Sequence, residues 1–139
     1  MSAPDGLGMA KAVIEEYATG TPLAGIPVRC ARLEASDAPP VLLLGDAGWL
    51  RHPTLPMLAP LRLGVTAFGV SERQAVTLWQ AASDILHRRG PLIATIDGAD
   101  VLLYQILDET GPSERDDPDT RWPARYGVFD LFMADRTLG

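Results

Sequence analysis

Cysteine is almost absent from this chain: Cys30 stands alone among 139 residues. That excludes an intrachain disulfide and a thiolate metal cluster. Histidine is nearly as scarce. His52 and His87 lie far apart, and neither has a cysteine or acidic neighbour at metal-ligand spacing. Both read as surface or cap histidines. Long hydrophobic runs are missing too, since nothing approaches the roughly 20 apolar residues of a membrane span. The Met1–Gly6 start lacks the basic residues and apolar core of a signal peptide, so cytoplasmic assembly is the expectation. Lysine occurs once against eleven arginines, a bias attributed to codon composition. Cations are outnumbered overall, giving a net charge of −6. Non-specific nucleic-acid binding relies on Lys and Arg neutralising phosphates, and an acidic chain with scattered arginines is a poor fit to that work.

What is present describes one soluble domain spanning residues 1–139. Hydrophobic residues make up 47% and charged residues 22%, an ordinary globular balance. A chain of this size buries roughly two-thirds of its unfolded surface. Met9, Ala10, Val13, Ile14 and Tyr17 recur at helical spacing and make one apolar face. Gly20, Pro22 and Gly25 then stop the helix. Ile26 to Leu33 reads as a short strand with Val28 and Cys30 on one face and Arg29 opposite. Ser36 to Pro40 is a turn. Val41 to Leu44 is wholly apolar, as expected of a central strand or of one buried in a subunit contact.

Gly45 to Pro60 reads as a long loop, because its three prolines oppose helix and central strand. It nevertheless carries Trp49, Leu50, Leu55, Met57 and Leu58, so it must fold onto its own core or meet a partner. Leu61 to Phe68 alternates as a strand, and Gly69 ends it. Ser71 with Gln74 forms a capping-box start for a helix running to about Arg89. That helix buries Ala75, Leu78, Trp79, Ala82, Ile85 and Leu86, with His87, Arg88 and Arg89 in its last turn. Leu92 to Ile96 and Val101 to Leu107 flank Asp97-Gly98, a strong hairpin signal. The predicted order is α-β-β-β-α-β-β-β. It implies an α+β fold: a mainly antiparallel β-sheet with two helices packed on one face, plus a β-hairpin and long loops.

The stretch from Gly111 to Met133 joins two unlike halves. Gly111-Pro112 through Trp122-Pro123 is a turn-rich loop setting Asp116, Asp117 and Asp119 against Arg115, Arg121 and Arg125. Gly127 to Met133 alternates and reads as a final strand. Connections in small domains usually run about 4–6 residues, so a loop this long draws its order from outside the subunit.

A search for chemistry returns little. No Gly-rich phosphate loop follows a strand. Ser71 is accounted for by capping, and Ser83 has no nucleophile-elbow context. Cys30 reads as a small core residue. Asp108, Glu109, Asp116, Asp117 and Asp119 could offer oxygen ligands to calcium or magnesium, but they lack the glycine and distal glutamate of an EF-hand loop. Paired carboxylates for acid–base work would need a cleft. A solvated turn is a stronger reading, and an intersubunit contact with Asp and Arg paired across it is stronger still.

Taken along its length, the chain resembles the tail terminator proteins of long-tailed bacteriophages and phage-like particles, also described as minor tail or tail-to-head joining proteins. The N-terminal helix, the early strand pair and the strand leading through Gly69-Val70-Ser71 into the helix at Glu72-Arg73-Gln74-Ala75 carry part of the likeness. Its specific part is the series Gly111-Pro112, Asp116-Asp117-Pro118-Asp119-Thr120 and Arg121-Trp122-Pro123-Ala124-Arg125-Tyr126. The Gly45–Pro60 segment matches no general motif of the family.

The resemblance implies a homo-hexameric ring at the head-proximal end of the tail tube. The ring would stop tube polymerisation and meet the tail tube protein on one side and the head-completion or connector (stopper) protein on the other. DNA would pass through its lumen without specific binding, which an acidic surface suits. Such a chain is a virion component of the tail or neck, without cofactor, enzymatic activity or membrane contact. Expected interface residues are Trp49, Leu50, Leu55 and Met57 as apolar anchors, with Asp116, Asp117, Asp119, Arg121, Trp122 and Arg125 in the charged segment. A different neck protein (a head-closure or tail-completion factor) is the alternative, and a small metal-dependent hydrolase is a third.

Overall fold

The computed structural model describes residues 6–49, 58–87, 92–96, 99–114 and 122–135. The elements follow the expected order: α1 (Gly6–Glu16), β1 (Val28–Cys30), β2 (Val41–Trp49), β3 (Leu58–Phe68), α2 (Glu72–Leu86), β4 (Leu92–Ile96), β5 (Ala99–Glu114) and β6 (Ala124–Asp135). The strands form one six-stranded sheet in the order β1-β2-β3-β6-β5-β4. Only β1–β2 is parallel; every other pair is antiparallel. The fold is therefore α+β with a mainly antiparallel sheet. No described helix is long and apolar enough to cross a membrane.

Both helices seal one face of the sheet. Met9, Ala10, Val13 and Ile14 of α1 and Ala75, Leu78, Trp79, Ala82, Ile85 and Leu86 of α2 pack into one core with Leu42, Leu44, Leu63, Val65, Ala67, Phe129 and Leu131. These strand residues sit at alternate positions, as period-two side-chain placement requires. Trp79 stacks on Phe129 with ring centroids 5.3 Å apart, tying α2 to β6. Among the described residues its buried Nε1 finds no acceptor, a cost of about 1–3 kcal/mol that the ring's burial must exceed. Tyr17, just past α1, accepts a hydrogen bond on its hydroxyl from the Ile93 amide, at 3.1 Å. That contact joins α1 to β4 at the far edge of the sheet.

The start of α2 shows why the sequence signal there is strong. Ser71 is the N-cap, and its Oγ accepts from the Gln74 amide at 3.1 Å. Gln74 Oε1 reaches back to the Val70 amide at 2.7 Å, one residue earlier than in the standard reciprocal box. Before the cap, a Cβ at Gly69 would come within 2.6 Å of the Ala75 amide nitrogen and 2.7 Å of the Ser71 carbonyl oxygen. Only glycine lets β3 turn into α2 so tightly. The helix ends at Leu86 with His87 as C-cap, short of the expected Arg89.

The structure corrects three segment readings. Residues 45–49 and 58–60 are not loop but the ends of β2 and β3, paired through Gly45↔Gly64 to Trp49↔Leu61 with a register shift between Asp46 and Gly48. Pro60 fits within β3 because the β2 ladder stops at Leu61, leaving β6 as its described neighbour (Pro60↔Phe132). Proline is tolerated where a strand is locally an edge. Gly111-Pro112 likewise makes no loop: both residues lie inside β5, in a bulge between Thr110 and Ser113. Gly111 adopts φ +114° against the backbone of Gly127, a conformation that glycine takes without strain. Finally, β6 runs from Ala124 to Asp135, longer than Gly127–Met133. β5 thus runs to Glu114 and β6 starts at Ala124, so the stretch between these two strands is shorter than the sequence suggested.

Candidate functional site

Strand register fixes where the two expected contact segments attach. At one end of the sheet the chain departs at Trp49, opposite Leu61, and returns at Leu58, opposite Ala134. At the other end it departs at Glu114, opposite Arg125, and re-enters β6 at Ala124, opposite Phe68. Leu58 and Phe68 are the two ends of the same strand. At ~3.4 Å per residue they stand roughly 30–35 Å apart. The apolar and the charged segments therefore attach at opposite ends of the molecule.

The expected site residues divide accordingly. The backbone of Trp49 closes β2. Leu50, Leu55 and Met57, like Asp116, Asp117, Asp119 and Arg121, lie outside the described residues. So do the side chains of Asp108 and Glu109, weighed above as metal ligands. Trp122 and Arg125 are described, and both make contacts within the subunit. Trp122 is half-buried, with its ring edge-on to Phe68 at 5.6 Å and 81°. It belongs to a small cluster with Val41, Ala124, Leu33 and Leu43 on the face away from the helices. Arg125 is half-buried, and its Nη1 donates to the Ala124 carbonyl at 3.1 Å.

Beyond that cluster the second face, where described, carries Arg62, Gly64, Thr66, Tyr126, Val128 and Asp130. Arg62 and Asp130, cross-strand partners on β3 and β6, pair through Nε–Oδ1 at 2.9 Å. No helix covers them: Arg62 keeps 44% of its side-chain surface, and Asp130 is shielded to 15%.

A feature the sequence reading did not raise sits at edge strand β1. Arg29 grips Asp37 with two nitrogens: Nε is 3.0 Å from Oδ2 and Nη2 is 3.0 Å from Oδ1. Asp37 Oδ2 also accepts from the Glu34 amide at 2.7 Å, and only 5% of the Asp37 side chain is exposed. The Arg29 hydrogen bonds, aided by the Glu34 amide, hold the Asp37 carboxyl below the usual aspartate range. Arg29 is raised in turn, chiefly by the hydrogen bond to Asp37. The pair fastens residues 31–37 beside β1, which ends where Ala31 takes φ +70°.

Between that segment and α1 lies an open cavity of about 570 Å³, lined by Lys11, Arg29, Arg32, Leu33 and Glu34 among others. Three of these residues are cations and one is an acid. Lys11 meets Glu15 only at 3.7 Å, on the surface. Arg32 is exposed and has no acidic partner among the described residues. Arg29 Nη2 also lies 3.7 Å from Glu34 Oε2, so Asp37, Glu34 and Glu15 balance the cations around the cavity. The one sequence-level signal was Arg29 facing away from Val28 and Cys30, with an aspartate across the following turn.

No protein-family model matches the chain, and no curated protein matches it.

Proposed function

We propose that this chain is a structural subunit of the tail-terminator kind: a ring former, six copies to a ring, seated on the head-proximal end of a phage tail tube. The ring stops tube growth and joins the tail to the connector protein of the head, so the protein works in the virion neck. Function resides in surfaces, and the acidic lumen lets DNA slide past.

The observation that carries this reading is the attachment of two dissimilar contact segments at opposite ends of one sheet. A ring seated between two different structures needs unlike surfaces along its axis, and its own closure needs heterologous contacts between copies. The segment bearing Trp49, Leu50, Leu55 and Met57 supplies apolar anchors at one end. The segment bearing Asp116, Asp117, Asp119 and Arg121 supplies charge at the other.

Electron microscopy of particles carrying a tagged copy tests the reading. A single six-fold ring should lie between tube and connector, and particles lacking the protein should show tubes of uncontrolled length without heads. Tubes of normal length, joined to heads, in the absence of this protein would overturn it.

A further inference from the structure

The two edges of the sheet are protected by different means. At one edge, β1 has only three residues, and the chain turns away from it at Ala31. So short an edge gives little template for pairing. At the other edge, β4 has five residues, Leu92-Ile93-Ala94-Thr95-Ile96, with no charge, no proline and no register shift. Those are the usual devices that blunt an edge strand, and their absence leaves the composition of a strand prone to self-pairing. Ile93 keeps 38% of its surface exposed there.

Among the described residues β4 has β5 as its one neighbour in the sheet. The direction of its outer backbone groups follows from a single contact. The Ile93 amide donates to the Tyr17 hydroxyl at 3.1 Å, so it points away from β5, although Ile93 stands opposite Leu102. Backbone direction alternates along an antiparallel strand. The amide and carbonyl of Thr95 therefore share that outer side with those of Ile93, and a strand added at this edge would bond to them. Its backbone would run about 4.8 Å from β4, with a carbonyl oxygen about 2.9 Å from the Ile93 amide. The Tyr17 hydroxyl already fills that place. Tyr17 is held there by its own amide, which donates to the Val13 carbonyl at 3.2 Å, and by a ring packed against the helix-side core.

We infer that Tyr17 is an edge guard: by occupying the Ile93 amide it keeps β4 from pairing with β4 of a second copy. A second copy is the partner this edge would accept, because an antiparallel β4–β4 pair is isologous and needs no other complementary surface. The inference does not rest on the ring reading. It does bear on it, since a ring of this chain makes its contacts elsewhere than at the β4 edge.

Tyr17→Phe tests the guard while keeping the ring in the core. Amide exchange followed by NMR should speed at Ile93 roughly three- to tenfold and stay as in wild type across α2 and β3. Sedimentation velocity should show the variant associating beyond wild type over the same concentrations. Loss of a merely structural bond would also speed exchange, so a second variant separates the two roles. Ile93→Lys places a charge on the bare edge, the guard that many edge strands carry in their own sequence. Added to Tyr17→Phe, it should return association to the wild-type level without restoring the hydroxyl bond. Three results overturn the inference: unchanged exchange at Ile93, association of Tyr17→Phe equal to wild type, or excess association that Ile93→Lys leaves unrelieved. All are read on the purified chain, so none of them turns on whether the protein caps a tail tube.

Discussion

The two faces of the sheet are built to different specifications. On the helix side, Leu42, Leu44, Leu63, Val65, Phe129 and Leu131 are fully buried under α1 and α2. On the other side, the same strands present Arg62, Gly64, Tyr126, Val128 and Asp130, and the apolar cluster around Phe68 and Trp122 occupies only one end. Stability is thus concentrated on one face. The opposite face contributes less to the core and has more freedom to vary. Hydrophobic burial is proportional to the area taken from water, so substitutions on the two faces should differ several-fold in cost.

The sharpest way to break the helix face is Phe129→Ala, which removes the ring stacked on Trp79. Chemical denaturation should show a loss of about 3–5 kcal/mol. A loss under 1 kcal/mol would mean that the core does not depend on this stack. On the open face, Arg62→Ala deletes an ion pair whose arginine is largely solvated. The same measurement should move by less than about 1 kcal/mol, and a change as large as that of Phe129→Ala would erase the contrast.

The smallest effect is read as pH dependence. Asp37 titrates lower in the folded protein than when unfolded, so the unfolded state binds its proton first as pH falls. The stabilisation is therefore complete above the usual carboxylate range and is lost as pH drops through the lowered folded value. In Asp37→Asn, the denaturation midpoint should lose that acid-side decline while other carboxylates keep theirs. Identical pH profiles for wild type and variant would show that the Arg29 grip adds nothing to stability.

The order of elements, the apolar stripes of both helices and the alternation of β3 were legible because each expresses a single local period. Strand lengths were not. β2 and β5 contain Gly45, Gly48, Gly111 and Pro112, residues that read locally as turns but serve as small or bulged positions once neighbouring strands fix the register. The parallel pairing of β1 and the central place of β6 depend on contacts distant in sequence, which no window of residues reports. The cavity at β1 escaped for the same reason. Lys11 sits on a helix, Arg29 on a strand and Arg32 beyond it, and only packing makes them neighbours. The charged segment was conspicuous by composition alone, whereas the residues around this cavity are dispersed along the chain.

The central place of β6 has a consequence for synthesis. It is the last of the six strands to be made, yet it fills the seam between β3 and β5 along the whole of β3. Until residues 124–135 emerge, β3 and β5 have open edges facing each other, the kind of unpaired backbone that invites wrong partners. Non-local pairing of this sort is also slow to form. A nascent chain therefore cannot close its sheet early. The seam ties closure of the sheet to the arrival of β6.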